Sequence, residues 1–193
     1  MESAAADPPP LSDIRADIPS VPARPAHGAA HGATPGGTPG AAPGTAGDAN
    51  PGTAPGAVLD TNVVLDWLLF RDPAAMPLAH AIAAGQVVWL ACAHMRCELE
   101  QVAGRPALRH RGSGPASLLA AFDRHARLLP PPVAEPLLRC TDPDDQVFLD
   151  LSRAHHARWL VTRDRALLTL ARRAAQVGLA IVAPRLWRPA HGA

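Results

Sequence analysis

The chain has 193 residues, which is enough for one domain of ordinary size and a tail. Its formal net charge of +1 excludes the strongly basic surface of a histone-like protein, so any contact with nucleic acid has to be local. The N-terminus lacks the basic and apolar regions of a signal peptide, and no apolar run approaches the ~20 residues of a membrane span. Together with the sparse set of three cysteines, this composition leads us to expect a cytoplasmic protein.

The first 55 residues differ in composition from the rest of the chain. They hold half of the 22 prolines and otherwise consist mostly of Ala, Gly, Thr and Ser. Such a segment cannot bury enough large apolar surface to offset the entropy lost on ordering. We therefore predict a disordered tail at residues 1–55, a folded domain at 56–188 and a short C-terminal tail at 189–193.

Apolar runs within the folded domain predict short buried strands that alternate with helices. In chain order we predict a strand at 57–59, helices at 63–70 and 74–84, a strand at 87–91, helices at 94–103 and 113–128, a strand at 137–140, a helix at 144–155, a strand at 159–162, a helix at 165–175 and a strand at 179–182. Thr61 or Asn62 can cap the first helix, and three prolines at 130–132 stop the fourth. This order predicts a three-layer α/β/α domain whose central parallel sheet is covered on both faces.

Acidic residues stand where a sheet of this kind presents its ligand site. Asp60 closes the first strand, and Asp164 comes just after the strand at 159–162. Because the carboxyl ends of parallel strands meet at one edge, the chain itself delivers both carboxylates to that edge. Asp145 lies in the first turn of a predicted helix, and Glu98 lies on the helix that follows the second strand. The sequence therefore predicts that four acids converge at this edge.

A cluster of acids repels itself unless cations neutralise it, and ligation by oxygen alone selects hard ions such as Mg²⁺ or Mn²⁺. Ions of this kind activate water and stabilise negative charge on a phosphate. The predicted reaction is therefore phosphodiester hydrolysis without a covalent enzyme intermediate.

Four segments resemble the motifs of PIN domains in their order and spacing. These segments are Val58–Asn62, Cys97–Val102, Arg139–Leu149 and Leu160–Asp164. The resemblance covers the chain from about Ala57 to Trp187 and implies a metal-dependent ribonuclease acting on RNA. Members in bacteria are often the toxin of a toxin–antitoxin pair, so the resemblance also implies a cognate antitoxin protein and a homodimer as partners.

By this resemblance, the catalytic and metal-binding places belong to four acids: Asp60, Glu98, Asp145 and Asp164. Asn62 and Thr162 would assist them by hydrogen bonding, orienting a carboxylate or a bound water.

Two of these assignments leave alternatives. Glu100 competes with Glu98 because the two residues stand two apart on one predicted helix and point to different sides. Asp142 and Asp144 compete with Asp145, since an acid at the start of a helix can serve as an N-cap instead of a ligand.

Two other functions compete with the nuclease. One is a PIN-like module that binds RNA or a protein without cutting, which the complete set of four acids disfavours. The other is a phosphatase of the haloacid-dehalogenase type with Asp60 as nucleophile. That family requires an aspartate two residues further on, where this chain has Asn62.

Overall fold

The structure, a computed structural model, describes residues 54–109, 114–133 and 137–189. The predicted tail up to residue 53 and the last residues from 190 lie outside this description. The described strands form one five-stranded sheet in the order β3-β2-β1-β4-β5, and every pairing is parallel. The strands are Gly56–Leu59 (β1), Val88–Cys92 (β2), Ala126–Leu129 (β3), Trp159–Val161 (β4) and Ala180–Val182 (β5).

Helices connect and flank these strands. They are Thr61–Leu68 (α1), Met76–Ala83 (α2), Ala93–Ala103 (α3), Pro106–Arg109 (α4), Pro115–His125 (α5), Gln146–Ala154 (α6), Arg165–Thr169 (α7) and Ala171–Ala175 (α8), with a 3₁₀ turn at Pro184–Leu186. Helix α6 packs across β1, β2 and β4, whereas α3 packs against α1, α5 and β2. The predicted α/β fold with a central parallel sheet is confirmed.

The core lies on both sides of the sheet. Val58 of β1 and Leu160 and Val161 of β4 are fully buried, as expected for strands that are apolar throughout. An aromatic contact joins the sheet to a helix. Trp89 of β2 meets Phe122 of α5 edge-on, with ring centroids 4.8 Å apart. Strand β1 pairs with β2 on one side and β4 on the other, which places its last residue at the middle of the sheet edge.

Two predicted elements are wrong. The helix predicted at 113–128 ends at His125, and residues 126–129 pair with β2 as strand β3. Nothing in Ala-Arg-Leu-Leu forbids a helix, so pairing with the sheet overrides local propensity there. The strand predicted at 137–140 is a turn followed by irregular backbone. Its polar groups bond a glutamine side chain instead of a neighbouring strand.

The other predicted elements keep their type with ends shifted by one or two residues, and two further differences concern helices. The helix predicted at 165–175 is divided at Leu170 into α7 and α8. The N-cap of α1 is Asp60, whose side chain accepts a hydrogen bond from the Asn62 amide, and neither Thr61 nor Asn62 has that position. The last correction matters for function because it involves a candidate site residue.

Strand β1 defines where a shortened chain can begin. The Pro55 carbonyl accepts a hydrogen bond from the Val88 amide at 3.0 Å, so the β1–β2 ladder extends one residue beyond the strand. A chain lacking residues 1–53 should keep the free energy of unfolding of the full chain in urea denaturation. Removing residues 54 and 55 as well should lower it by about 1 kcal/mol. A larger loss on removing residues 1–53 alone would contradict the predicted domain boundary.

Candidate active site at the carboxyl edge of the sheet

The order of the strands creates a switch point between β1 and β4. From β1 the chain continues through β2 to β3 on one side, and β4 and β5 lie on the other. Ligands of open α/β sheets bind in the crevice at such a point, outside the carboxyl ends of the strands. Asp60 follows β1 there, and Thr162 and Asp164 follow β4.

Asp60 is held between the two central strands. Its backbone amide donates to the Val161 carbonyl at 3.0 Å, which extends the β1–β4 ladder by one residue. The Thr162 hydroxyl donates to Asp60 Oδ2 at 2.7 Å and accepts from the Asp164 amide at 2.9 Å. One buried hydroxyl therefore connects both strand-end acids.

Both of these acids also cap helices. Asp60 Oδ1 accepts from the Asn62 amide at 3.2 Å at the start of α1. Asp164 Oδ1 accepts from the Ala166 amide at 2.6 Å and the Leu167 amide at 3.2 Å at the start of α7. The capping bonds fix the orientation of each carboxylate, and the helix N-termini favour its negative charge.

The two glutamates on α3 have different surroundings. Glu98 is half-buried, and its carboxylate interacts electrostatically with Asp60 and hydrogen bonds the Thr61 side chain. Glu100 is exposed and lies 3.9 Å from Arg96, one turn away on the same helix. The structure therefore brings Glu98, and not Glu100, to the strand-end acids.

Three aspartates compete in the loop before α6. Asp142 Oδ1 accepts from the Asp144 amide at 3.0 Å, so Asp142 closes a local turn. Asp142 and Asp144 are exposed, whereas Asp145 is half-buried. Asp145 occupies the N-cap position of α6, but its side chain makes no capping hydrogen bond there. Instead, its carboxylate shares its electrostatic surroundings with the other acids.

We call the four mutually interacting acids the acidic cluster: Asp60, Glu98, Asp145 and Asp164. Burial raises the pKa of Asp145 to about 7, with repulsion from Asp164, Asp60, Asp142 and Glu98 adding to the effect. Burial likewise raises the pKa values of Asp60 and Glu98, against hydrogen bonds from Thr162 and Thr61 that lower them. The cluster thus concentrates negative charge that the fold compensates only in part.

The donor set of the cluster suits a hard divalent cation. It offers carboxylate oxygens, and a nearby cation would favour the ionised forms of Glu98 and Asp145, whose pKa values are raised first by burial and then by neighbouring acids. Within residues 54–109, 114–133 and 137–189, however, no group of three or more His, Cys, Asp or Glu side chains is arranged to hold a metal ion. The acids share one electrostatic environment without forming a ready-made cage.

Sequence reasoning missed two residues of this site. Thr61 was interpreted only as a capping residue, although its side chain bonds Glu98. Its position directly after the strand-ending Asp60 was the signal that could have found it. Gln146, the first residue of α6, bonds the segment that leads into the aspartate loop. No spacing rule identifies that contact, because it depends on where residues 138–140 run.

The model of a family described as "PIN domain" matches residues 56–166, which is more than half of the chain and includes the acidic cluster. The crystal structure of VapBC2 from Rickettsia felis bound to a DNA fragment from their promoter contains a similar chain, with 12% identity and a TM-score of 0.47. That match covers 66% of this chain and 98% of the other. No match was found among curated proteins.

The raised pKa of Asp145 predicts a pH dependence of stability. The folded chain keeps this proton up to about pH 7, whereas an unfolded aspartate releases it near about pH 4. The folded state binds more protons between these values, so this group's contribution to stability falls as pH rises through that window. Asp145→Asn has no proton to lose at this position, so it escapes this loss of stability. The difference between its melting temperature and that of wild type should therefore move in favour of the variant as pH rises in EDTA buffers from about pH 5 to about pH 8.

Asp123→Asn is the matched control for this measurement. Asp123 lies on α5 and pairs with Arg96, whose hydrogen bonds hold the pKa of Asp123 below its usual value. That carboxylate is ionised in both states across the measured range, so its replacement should shift the melting temperature by an amount that does not vary with pH. If the melting-temperature difference between Asp145→Asn and wild type is also independent of pH, the predicted protonation of Asp145 is wrong.

Proposed function

Since this chain belongs to the PIN domain family, we propose that it is a metal-dependent endoribonuclease that hydrolyses phosphodiester bonds in RNA. The observation that supports the proposal best is the acidic cluster at the switch point of the sheet, where burial and then repulsion between acids raise the pKa values of Asp60, Glu98 and Asp145. Oxygen donors in this number and place suit Mg²⁺ or Mn²⁺.

The four carboxylates of the acidic cluster would hold the ion. When bound, it would acidify water and offset negative charge on the scissile phosphate. Asp145 holds a proton up to about pH 7, so it has to release that proton before it can act as a ligand.

The neighbouring side chains orient the cluster. The Thr162 hydroxyl fixes one oxygen of Asp60 and, through the Asp164 amide, the start of the turn into α7. Asn62 is exposed and hydrogen bonds the Asp60 carboxylate. Thr61 supports Glu98 from the same turn. These contacts support auxiliary roles for Thr162 and Asn62 in orienting a carboxylate.

We also propose that the protein acts in the cytoplasm as the toxin of a toxin–antitoxin pair, with a cognate antitoxin and a second copy of itself as partners. Family membership is the support for this assignment. In the part of the chain that the structure describes, no helix has the length and apolar character needed to cross a membrane.

The first test is cleavage of a labelled single-stranded RNA pool by wild type and Asp60→Asn, each with Mg²⁺, Mn²⁺ or EDTA. The asparagine oxygen can still accept from the Asn62 amide, and its NH2 group can donate to the Thr162 hydroxyl, which turns its own hydrogen away, so the fold should survive while the charge is lost. Metal-dependent cleavage by the variant should fall by roughly 100-fold or more. Asp123→Asn, which changes an acid remote from the cluster on α5, should cut like wild type.

Absence of metal-dependent cutting by wild type across a broad substrate panel would contradict the proposal. It would favour the alternative, a PIN module that binds RNA or a protein without cutting it.

A second test separates the two glutamates of α3. Glu98→Gln removes a charge from the acidic cluster, whereas Glu100→Gln removes an exposed charge two residues away on the same helix. Metal-dependent cleavage should fall at least about 10-fold for Glu98→Gln and stay near wild type for Glu100→Gln. Rates measured at saturating Mn²⁺ and over a Mn²⁺ titration check this. A larger loss for Glu100→Gln would reverse the assignment.

A further inference from the structure

Gln146 makes a set of hydrogen bonds that uses its whole amide group. Its Oε1 accepts from the Cys140 amide at 2.9 Å. Its Nε2 donates to the Leu138 carbonyl at 2.9 Å and to Asp150 Oδ1 at 2.8 Å. Both N–H groups and the carbonyl therefore have partners, which is the full donor capacity of a glutamine side chain.

These bonds connect the two ends of one short loop. Residues 138 and 140 lead into the loop at 141–145, and Gln146 follows it directly as the first residue of α6. A single side chain thus ties the entry of the loop to its exit. Within the loop, the bond from the Asp144 amide to Asp142 adds a local turn. Asp145 is the last residue of the loop that these bonds close.

Asp150 is the third contact that fixes which way the amide of Gln146 faces, beside the Cys140 amide and the Leu138 carbonyl. It lies one turn further along α6, is 6% exposed, and accepts one of the two Nε2 hydrogens. With the amide reversed, Oε1 would face the Leu138 carbonyl and the Asp150 carboxylate, and both of these are acceptors. The buried carboxylate therefore reinforces the orientation in which Gln146 bonds both residue 138 and residue 140.

We propose that Gln146 is a positioning residue, whose amide, oriented by Asp150, holds the 141–145 loop so that Asp145 stays within the acidic cluster. The inference rests on the proposed metal-dependent nuclease. In this account Gln146 does not touch the ion itself. It closes the loop, and the closed loop lets the neighbouring Asp145 act as a metal ligand. Groups that orient a metal ligand in this way typically change metal affinity by about 10- to 100-fold when they are removed.

The experiment measures Mn²⁺ binding by the full-length chain, using electron paramagnetic resonance of the free ion, beside melting temperatures in EDTA. Gln146→Met keeps the length of the side chain and removes all of its hydrogen bonds. Asp150→Asn keeps an oxygen that can accept from Nε2. Ser152→Ala is the matched control, because it removes a buried bond of 2.7 Å to the Phe148 carbonyl on the same helix without touching the loop.

Gln146→Met should weaken Mn²⁺ binding by about 10-fold or more, while Asp150→Asn stays near wild type. Ser152→Ala should lower the melting temperature and leave Mn²⁺ affinity unchanged. Unchanged affinity in Gln146→Met, or an equal loss in Ser152→Ala, would overturn the positioning role, because either result would show that Gln146 contributes only to stability.

Asp150→Leu provides a second variant if Gln146→Met does not fold. It removes one acceptor and leaves the bonds to residues 138 and 140, so an intermediate loss of Mn²⁺ affinity supports the inference and no loss overturns it. Wild type that binds no Mn²⁺ would overturn the proposed function and this inference together. Wild type that binds Mn²⁺ and cuts RNA, with Gln146→Met unaffected, would overturn this inference alone.

Discussion

A carboxylate buried at the end of a central strand is costly to ionise, and this constraint shapes the site around Asp60. The side chain is 3% exposed, and burial raises its pKa more than the hydrogen bonds from Thr162 and the Asn62 amide lower it. Repulsion from Asp164 raises the pKa of Asp60 further, and Asp60 in turn repels Glu98, so the neighbouring acids do not offset the cost of ionisation. The fold thus tolerates an acid whose charge is only partly compensated at the end of its central strand, and strongly perturbed acids of this kind cluster at functional sites. A divalent cation would remove this electrostatic cost.

Helix capping is the means by which the fold orients two of these acids without a cation. Asp60 and Asp164 each give one carboxylate oxygen to backbone amides at a helix start. An N-terminal helix position favours negative charge, so capping offsets part of the repulsion within the acidic cluster. It also limits how the carboxylates turn, which agrees with a cluster that is electrostatically coupled but is not a preformed cage.

The sequence predicts the strand-end acids well because their placement follows from chain direction alone. Asp60 and Asp164 end parallel strands, so any doubly wound arrangement brings them to one edge. The choice of Glu98 over Glu100 needs the position of α3 relative to α1, which no local pattern contains. Strand β3 was missed because its sequence suits a helix equally well, and only its pairing with β2 makes it a strand.

The remaining difficulty for sequence reasoning lies in the loops, where side chains replace the backbone ladder as the source of order. The backbone of β1 places Asp60, and helix α3 places Glu98. Asp145 stands at the end of a loop whose two ends meet on one glutamine amide. The connection before Asp164 is similarly tied down, since Arg163 bonds Asp66 of α1 at 2.8 Å. Contacts of this kind follow no local sequence pattern, so the precision of the site depends on interactions that appear only once the fold is known.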